Sequence, residues 1–378
     1  MIPFNKPYLV GTEAKNIAEV LALKFLSGDG IFTKKCSNWL EKNNSCSKAL
    51  LTNSCTAALE MAAILIDINH EDEVIMPSYT FVSTANAFVL RGARPVFVDI
   101  RDDTKNINEE LIEEAITSKT KAIVCVHYAG VSCEMNKIND IAKKYNLFVI
   151  EDAAQGICSE YHGNALGSLS DLGTFSFHET KNIISGEGGS LLVNNPQLVE
   201  RAEIIRDKGT NRSKFFRGEI DKYTWVDIGS SYLPSEIMAA FLYSQMQEAD
   251  SITARRLDIW NIYHKELKVL EDKSLIERPH IPNCCKHNAH MYYIVLESED
   301  LRSKFITYMK EKGIHCTFHY QPLHYSPLYI NKFTDENKLK PYLPVTEKVA
   351  DTLVRIPLWI GIDSFQDFIV DKLIKFFI

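Results

Sequence analysis

The chain has 378 residues, 46% of them hydrophobic and 24% charged, with a formal net charge of −7. That length suits one large or two ordinary domains, the composition is that of a folded globular protein, and the acidic balance argues against generic nucleic-acid binding. No apolar stretch approaches the roughly 18 residues that cross a membrane, and Met1-Ile-Pro-Phe-Asn-Lys lacks the basic-then-apolar pattern of a secretory leader.

The first 47 residues read as an extended segment and two helices, at 12–26 and 33–42, parted by Gly28-Asp-Gly30. Ala49-Leu-Leu-Thr52 is a short strand that turns through Asn53-Ser-Cys-Thr56 into the helical run Ala57-Ala-Leu-Glu-Met-Ala-Ala. Small polar residues at such a turn expose backbone N–H groups and hydroxyls. With the helix dipole they form a site for a phosphate dianion, although the same residues cap any ordinary helix. A strand at 73–76 leads to Pro77-Ser-Tyr-Thr-Phe81, where Tyr79 can stack on a flat ligand or cover the core, and then to a helix ending at Val89. A strand at 94–99, a helix at 107–117, a strand at 121–126 and a helix at 133–145 follow.

Leu147-Phe-Val-Ile-Glu-Asp-Ala-Ala-Gln155 is a buried strand with Glu151-Asp152 at its carboxyl end, where ligands of open α/β sheets bind. An Asp there can pair with a pyridinium nitrogen, or it can cap the next turn. About one βα unit later, Thr174-Phe-Ser-Phe177 leaves a strand through a polar turn to Lys181, and Gly186-Glu-Gly-Gly189 leads into a strand at 190–193. A lone lysine is usually a surface group. One desolvated at a strand end loses its charge and becomes a nucleophile fit for a Schiff base with an aldehyde cofactor. The two motifs together are far more specific than either alone.

Strands alternating with helices up to about residue 195 imply a mostly parallel sheet covered on both faces. No G-x-G-x-x-G follows the first strand, which argues against a Rossmann dinucleotide unit. Then come a helix at 196–206, a basic turn-rich stretch at 207–218, and a long helix at 235–267 leading into a smaller unit. That unit shows strands at 290–296 and 316–320, helices at 300–312, 346–353 and 364–377, and a strand at Pro357-Leu358. The expected domains are 1–245 and 246–378. The nine cysteines are scattered, with no zinc-ribbon spacing, and the expected compartment is the cytoplasm. His315, His319 and His324 lie close together but lack carboxylate partners and H-E-x-x-H spacing, so no metal is expected.

Pro77-Ser-Tyr-Thr-Phe-Val-Ser-Thr-Ala-Asn-Ala87 and Phe175-Ser-Phe-His-Glu-Thr-Lys-Asn182 carry a resemblance that runs from Ile2 to Pro357-Leu358. The chain resembles the pyridoxal-phosphate (PLP) nucleotide-sugar aminotransferases of the DegT/DnrJ/EryC1/StrS family. The resemblance implies fold type I: a large α/β domain with a mostly parallel mixed sheet and a smaller C-terminal α/β domain. It implies Lys181 as cofactor anchor and proton shuttle and Asp152 at the pyridine nitrogen. It places Gln155, Ser176, Thr56 and Cys55 at the ring oxygen and phosphate, Tyr79 on the ring, and His178 beside Lys181. Ser231 stands where the family reaches across a homodimer to the partner's phosphate, which implies shared active sites. The turn His319-Tyr-Gln-Pro-Leu-His324 resembles the family's signature beside the nucleotide sugar, making His319, Tyr320 and His324 substrate residues. The implied substrates are dTDP-4-keto-6-deoxy-D-glucose and L-glutamate, with a galacto-configured 4-amino product; Gly229-Ser-Ser-Tyr-Leu233, where Gly-x-Asn-Tyr-Arg is commoner, points to that branch. The rivals are amination of another ketosugar, a sugar dehydratase, which replaces the lysine that this chain keeps, and a non-catalytic sensor or partner on the same fold.

Overall fold

The structure is a computed structural model that describes residues 1–334 and 341–378. Its strands up to residue 193 are β1 (Lys48–Thr52), β2 (Glu73–Pro77), β3 (Arg94–Val98), β4 (Thr120–Val126), β5 (Phe148–Asp152), the short hairpin β6 (Glu160–Tyr161) and β7 (Asn164–Ala165), β8 (Leu172–Ser176) and β9 (Gly189–Val193). Among the described residues, seven of them form one sheet in the order β1-β9-β8-β5-β4-β2-β3. The strands from β3 to β8 along that order run parallel, while β9 returns antiparallel between β8 and β1.

The period of two along each strand builds two cores, one on each face. Leu51, Ile75, Ile123, Cys125, Val149 and Leu192 point to one side, against Ile138 and Met246. Leu50, Val74, Met76, Val124, Ile150 and Leu191 point to the other, against Ala58 and Phe88. The helix Cys55–Leu65 is buried along most of its length, and its alanines let it lie close to the sheet.

A second, smaller sheet is antiparallel throughout, in the order β11 (Tyr292–Val295), β13 (Leu353–Ile356), β12 (Thr317–Phe318); β10 (Cys285–Lys286) instead pairs with β6. The expected strand at Pro357-Leu358 is therefore four residues earlier, in a run that the sequence pattern assigned partly to the preceding helix.

Two predicted helices are corrected. Residues 107–117 form two 3-10 turns, Glu109–Leu111 and Glu113–Ala115. The buried anchors Ile107 and Ile112 are five residues apart, a spacing that does not fall on one helical face. The long helix breaks at Glu248 into Glu236–Gln247 and Ala249–Glu266. Ala249 and Ile252 still pack in the first core, whereas Ile259, Trp260 and Tyr263 belong to a third core around the small sheet.

The amino-terminal segment joins that third core. Ile2 donates its N–H to the Gly313 carbonyl at 2.7 Å and accepts from His315 N–H at 3.1 Å, and the Trp359 indole donates to the Pro3 carbonyl at 3.0 Å. Among the described residues no helix is long and apolar enough to cross a membrane.

Candidate active site

The carboxyl ends of β5 and β8 open into a cavity of about 760 Å³, within the range of roughly 300–1,000 Å³ usual for small organic ligands. Four loops of the large sheet supply one side, and the small sheet with Phe4 and Asn5 supplies the other.

The turn after β1 forms an anion cradle. The Ser54 hydroxyl accepts from Ala57 N–H at 3.0 Å and caps an 11-residue helix whose first residues, Cys55 and Thr56, line the cavity. Thr56 Oγ1 shares a hydrogen bond with Ser83 Oγ at 2.8 Å. Gly189 makes the close approach of this turn to β9 possible: a Cβ there would lie 2.4 Å from the Cys55 nitrogen. Gly189→Ala should therefore push the cradle outward and destabilise the fold by about 1–3 kcal/mol, read by denaturant unfolding, with weaker cofactor retention measured by dialysis.

Glu151 and Asp152 are neighbours on β5, so they point to opposite faces. Glu151 is buried against His127 Nε2 at 2.9 Å and accepts from the N–H groups of Gly167 and Leu169, each at 2.7 Å. Asp152 faces the cavity; it accepts from Thr84 Oγ1 at 2.6 Å and from Ala154 N–H at 3.2 Å. Gln155 accepts from Ala129 N–H at 2.7 Å, which leaves its Nε2 to donate to Tyr320 Oη at 3.1 Å.

Beyond β8 the chain makes a tight turn, with Lys181 N–H donating to the His178 carbonyl at 2.9 Å and Ser185 N–H to the Phe177 carbonyl at 2.7 Å. Gly186, at φ 82°, accepts from Glu179 N–H at 2.8 Å in a conformation that favours glycine. The turn points Lys181 into the cavity, and among the described residues its amine has no ion-pair partner. Burial holds the Lys181 pKa below the ordinary lysine value of 10.5; the Arg355 charge adds to this, and Cys55 and Asp152 oppose it. Ser176 lines the same wall. His178 stands at the rim, bonded through Nδ1 to Thr180 Oγ1 at 2.9 Å.

The small sheet brings His319 and Tyr320, joined by a cis peptide bond, to the opposite wall. Tyr128 Oη and His319 Nδ1 are hydrogen-bonded at 3.1 Å. Burial pushes His319 well below the usual histidine pKa and Tyr320 above the usual phenol value.

Three of the expected site residues lie elsewhere. Tyr79 is only 1% exposed and packs on the rings of Tyr128 and Tyr320 at 5.3 and 5.6 Å, its hydroxyl donating to the His319 carbonyl. It supports the wall from behind, and Phe81 is the aromatic of that loop which lines the cavity. His324 is fully buried and bonded to Ser78 Oγ at 2.7 Å, tying the two loops together behind the wall. Ser231 is exposed on the surface, in a backbone bridge with Asp207. Conversely, Arg355 and His290 line the cavity without having been expected there. The visible signal for Arg355 was a lone charge inside the apolar run Leu353-Val-Arg-Ile356.

The donor set fits PLP. A buried carboxylate at a strand end suits a protonated pyridine nitrogen, a helix amino-terminus with hydroxyls suits a phosphate, and an unpaired, desolvated amine suits an aldehyde. Asp152, the Ser54–Thr56 turn with Ser83 and Ser176, and Lys181 supply these around one cavity.

Comparison with known proteins agrees with that chemistry. The DegT/DnrJ/EryC1/StrS aminotransferase family matches residues 7–373. GDP-perosamine synthase of Escherichia coli O157:H7 is 31% identical over 366 residues, covering 97% of this chain and 95% of that protein. The PLP form of Spr1654 from Streptococcus pneumoniae superposes with a TM-score of 0.87 at 26% identity over 99% of each chain, and its PMP form with a TM-score of 0.90 at 27% identity. PseC of Helicobacter pylori, an aminotransferase involved in pseudoaminic acid biosynthesis, superposes with a TM-score of 0.90 at 26% identity over 100% of this chain and 99% of that one. The chain thus belongs to the DegT/DnrJ/EryC1/StrS aminotransferase family and is a sugar aminotransferase that uses pyridoxal phosphate.

Proposed function

We propose that the enzyme transfers the amine of L-glutamate to C4 of dTDP-4-keto-6-deoxy-D-glucose, giving dTDP-4-amino-4,6-dideoxy-D-galactose and 2-oxoglutarate for a cell-surface polysaccharide. The observation that carries this reading is Lys181, desolvated and unpaired, facing a wall built from the His319-Tyr320 turn across one cavity. The choice of sugar is supported by the sequence resemblance, including Gly229-Ser-Ser-Tyr-Leu233.

The cofactor, when bound, supplies an electron sink for the carbon that loses its proton. The chain's own residues do the rest. Lys181 accepts that proton and returns it. Asp152, fixed by Thr84 and Ala154, holds a negative charge at the buried end of the site. Gln155 ties the loop after β5 to Tyr320, which sets the width of the cavity. The nucleotide supplies remote binding energy that aligns one face of the sugar with the reacting groups.

Incubation of the holoenzyme with glutamate and either dTDP-4-keto-6-deoxyglucose or its GDP-linked counterpart, followed by proton NMR, tests this directly. An axial amine at C4 of the dTDP sugar is expected. An equatorial amine, turnover of the GDP sugar alone, or amination only of a 3-keto sugar overturns the assignment.

We further propose a division into domains at about residue 245, a cytoplasmic location, and a homodimer with shared sites. The dimer is supported by Trp225 at 76%, Val226 at 50% and Ile228 at 41% exposure, which form an apolar stretch beside the exposed Ser231. If Ser231 reaches the partner's cofactor phosphate, Ser231→Ala should weaken PLP binding by about 1 kcal/mol. A sedimentation measurement showing a fully active monomer refutes the shared site.

A further inference from the structure

Arg355 sits on β13, in the cavity wall formed by Met291, Ile356, Leu358 and Phe4. Its surroundings differ from those of the arginines buried or half-buried elsewhere in the fold. Arg206 pairs with Asp29 at 2.7 Å, Arg278 with Glu271 at 2.5 Å, and Arg256 is satisfied by the carbonyls of Ala289, His290 and Leu358. Arg355 has no carboxylate partner among the described residues. Its Nε is buried without a hydrogen bond, its one carbonyl contact is a long 3.5 Å bond to Phe318, and its guanidinium lies 4.7 Å from the Phe4 ring centroid. A half-buried, under-partnered guanidinium facing a cavity is ready for a ligand that brings the counter-charge, and its planar fork matches a carboxylate.

We propose that Arg355 binds the α-carboxylate of the amino-acid donor. The proposal rests on the reading of an α-amino acid as amine source. Position within the site favours that carboxylate over the diphosphate of the sugar nucleotide. An α-amino acid carries its carboxylate on the carbon that bears the reacting amine, so its recognition must lie close to Lys181. Arg355 and Lys181 line the same cavity, and the Arg355 charge acts on the Lys181 amine. The diphosphate of a 4-keto sugar nucleotide is separated from C4 by the sugar ring. His290 and His319, kept neutral by burial, flank the same wall and add no competing charge.

The test follows the two half-reactions of the holoenzyme separately. Amino acid alone should bleach the visible band of the PLP form, and ketosugar should restore it from the PMP form. Arg355→Gln should raise the half-saturating concentrations of glutamate and alanine alike, by roughly 10- to 100-fold for a lost charge-assisted pair. Arg355→Lys should recover part of that loss. The half-saturating concentrations of the ketosugar and of 4-aminobutyrate, a slow donor with no α-carboxylate, should be unchanged. A raised half-saturating concentration of ketosugar instead assigns Arg355 to the diphosphate and overturns the proposal. So does a defect with glutamate but not alanine, which points to the side-chain carboxylate, or an equal defect with 4-aminobutyrate, which reports general damage. Failure of every α-amino acid to bleach the wild-type enzyme removes the donor reading itself, and the proposal with it.

Discussion

Turnover should fall to background in a Lys181→Ala enzyme, a loss of at least about 10⁴-fold, because a well-placed acid–base group contributes about 10²–10⁴ and the nucleophilic anchor disappears with it. Among the described residues no second lysine lines the cavity, so no other amine can move the proton. Borohydride reduction of the wild-type holoenzyme, digestion and mass spectrometry should put the cofactor's mass on Lys181; a label on another lysine sinks the assignment. The same desolvation has a signature in the apoprotein. The unfolded chain holds the Lys181 proton more tightly than the folded chain, so folding is opposed at low pH. That opposition fades as the pH rises from the lowered folded value toward 10.5. The stability gap between wild-type apoprotein and the alanine variant, measured by urea unfolding, should move in the wild type's favour over that window.

Asp152→Asn should slow the reaction by on the order of 10²–10³ or more, the scale of losing one preorganised electrostatic partner. The fold should survive. Asp152 accepts one bond at each oxygen, from Thr84 and from Ala154, and the amide can keep one of the two. The stability cost is then about 1–3 kcal/mol for the bond left unmade. Calorimetry and single-turnover kinetics separate the two effects. An Asn enzyme within a few-fold of wild type, with the same loss of stability, makes Asp152 a loop cap and nothing more.

What could be read from the sequence was what depends on neighbours along the chain. Strands β1 to β5 announce themselves as short apolar runs. Asp152 and Ser176 end their strands and Thr56, Gln155 and Lys181 follow strand ends, so local geometry alone delivers them to one edge of the sheet. The break at Glu248 was hidden because apolar residues continue on both sides of it while the core they face changes. Tyr79 was placed in the cavity because an aromatic in that loop can stack on a ligand; which of Tyr79 and Phe81 does so depends on the carbonyl of His319, some 240 residues away. Arg355 and Phe4 reach the site only through packing between distant segments, and no spacing in the chain reports that.

The stitching of residues 2 and 3 to Gly313, His315 and Trp359 has a consequence for synthesis. Residues 2 and 3 must wait for these much later partners before Phe4 and Asn5 can close their wall. A nascent chain can assemble the parallel sheet and present Lys181 long before that, yet its reactive amine would face open solvent. The cavity can therefore be enclosed only after the segment that carries Gly313, His315 and Trp359 has been made, however early the large sheet folds.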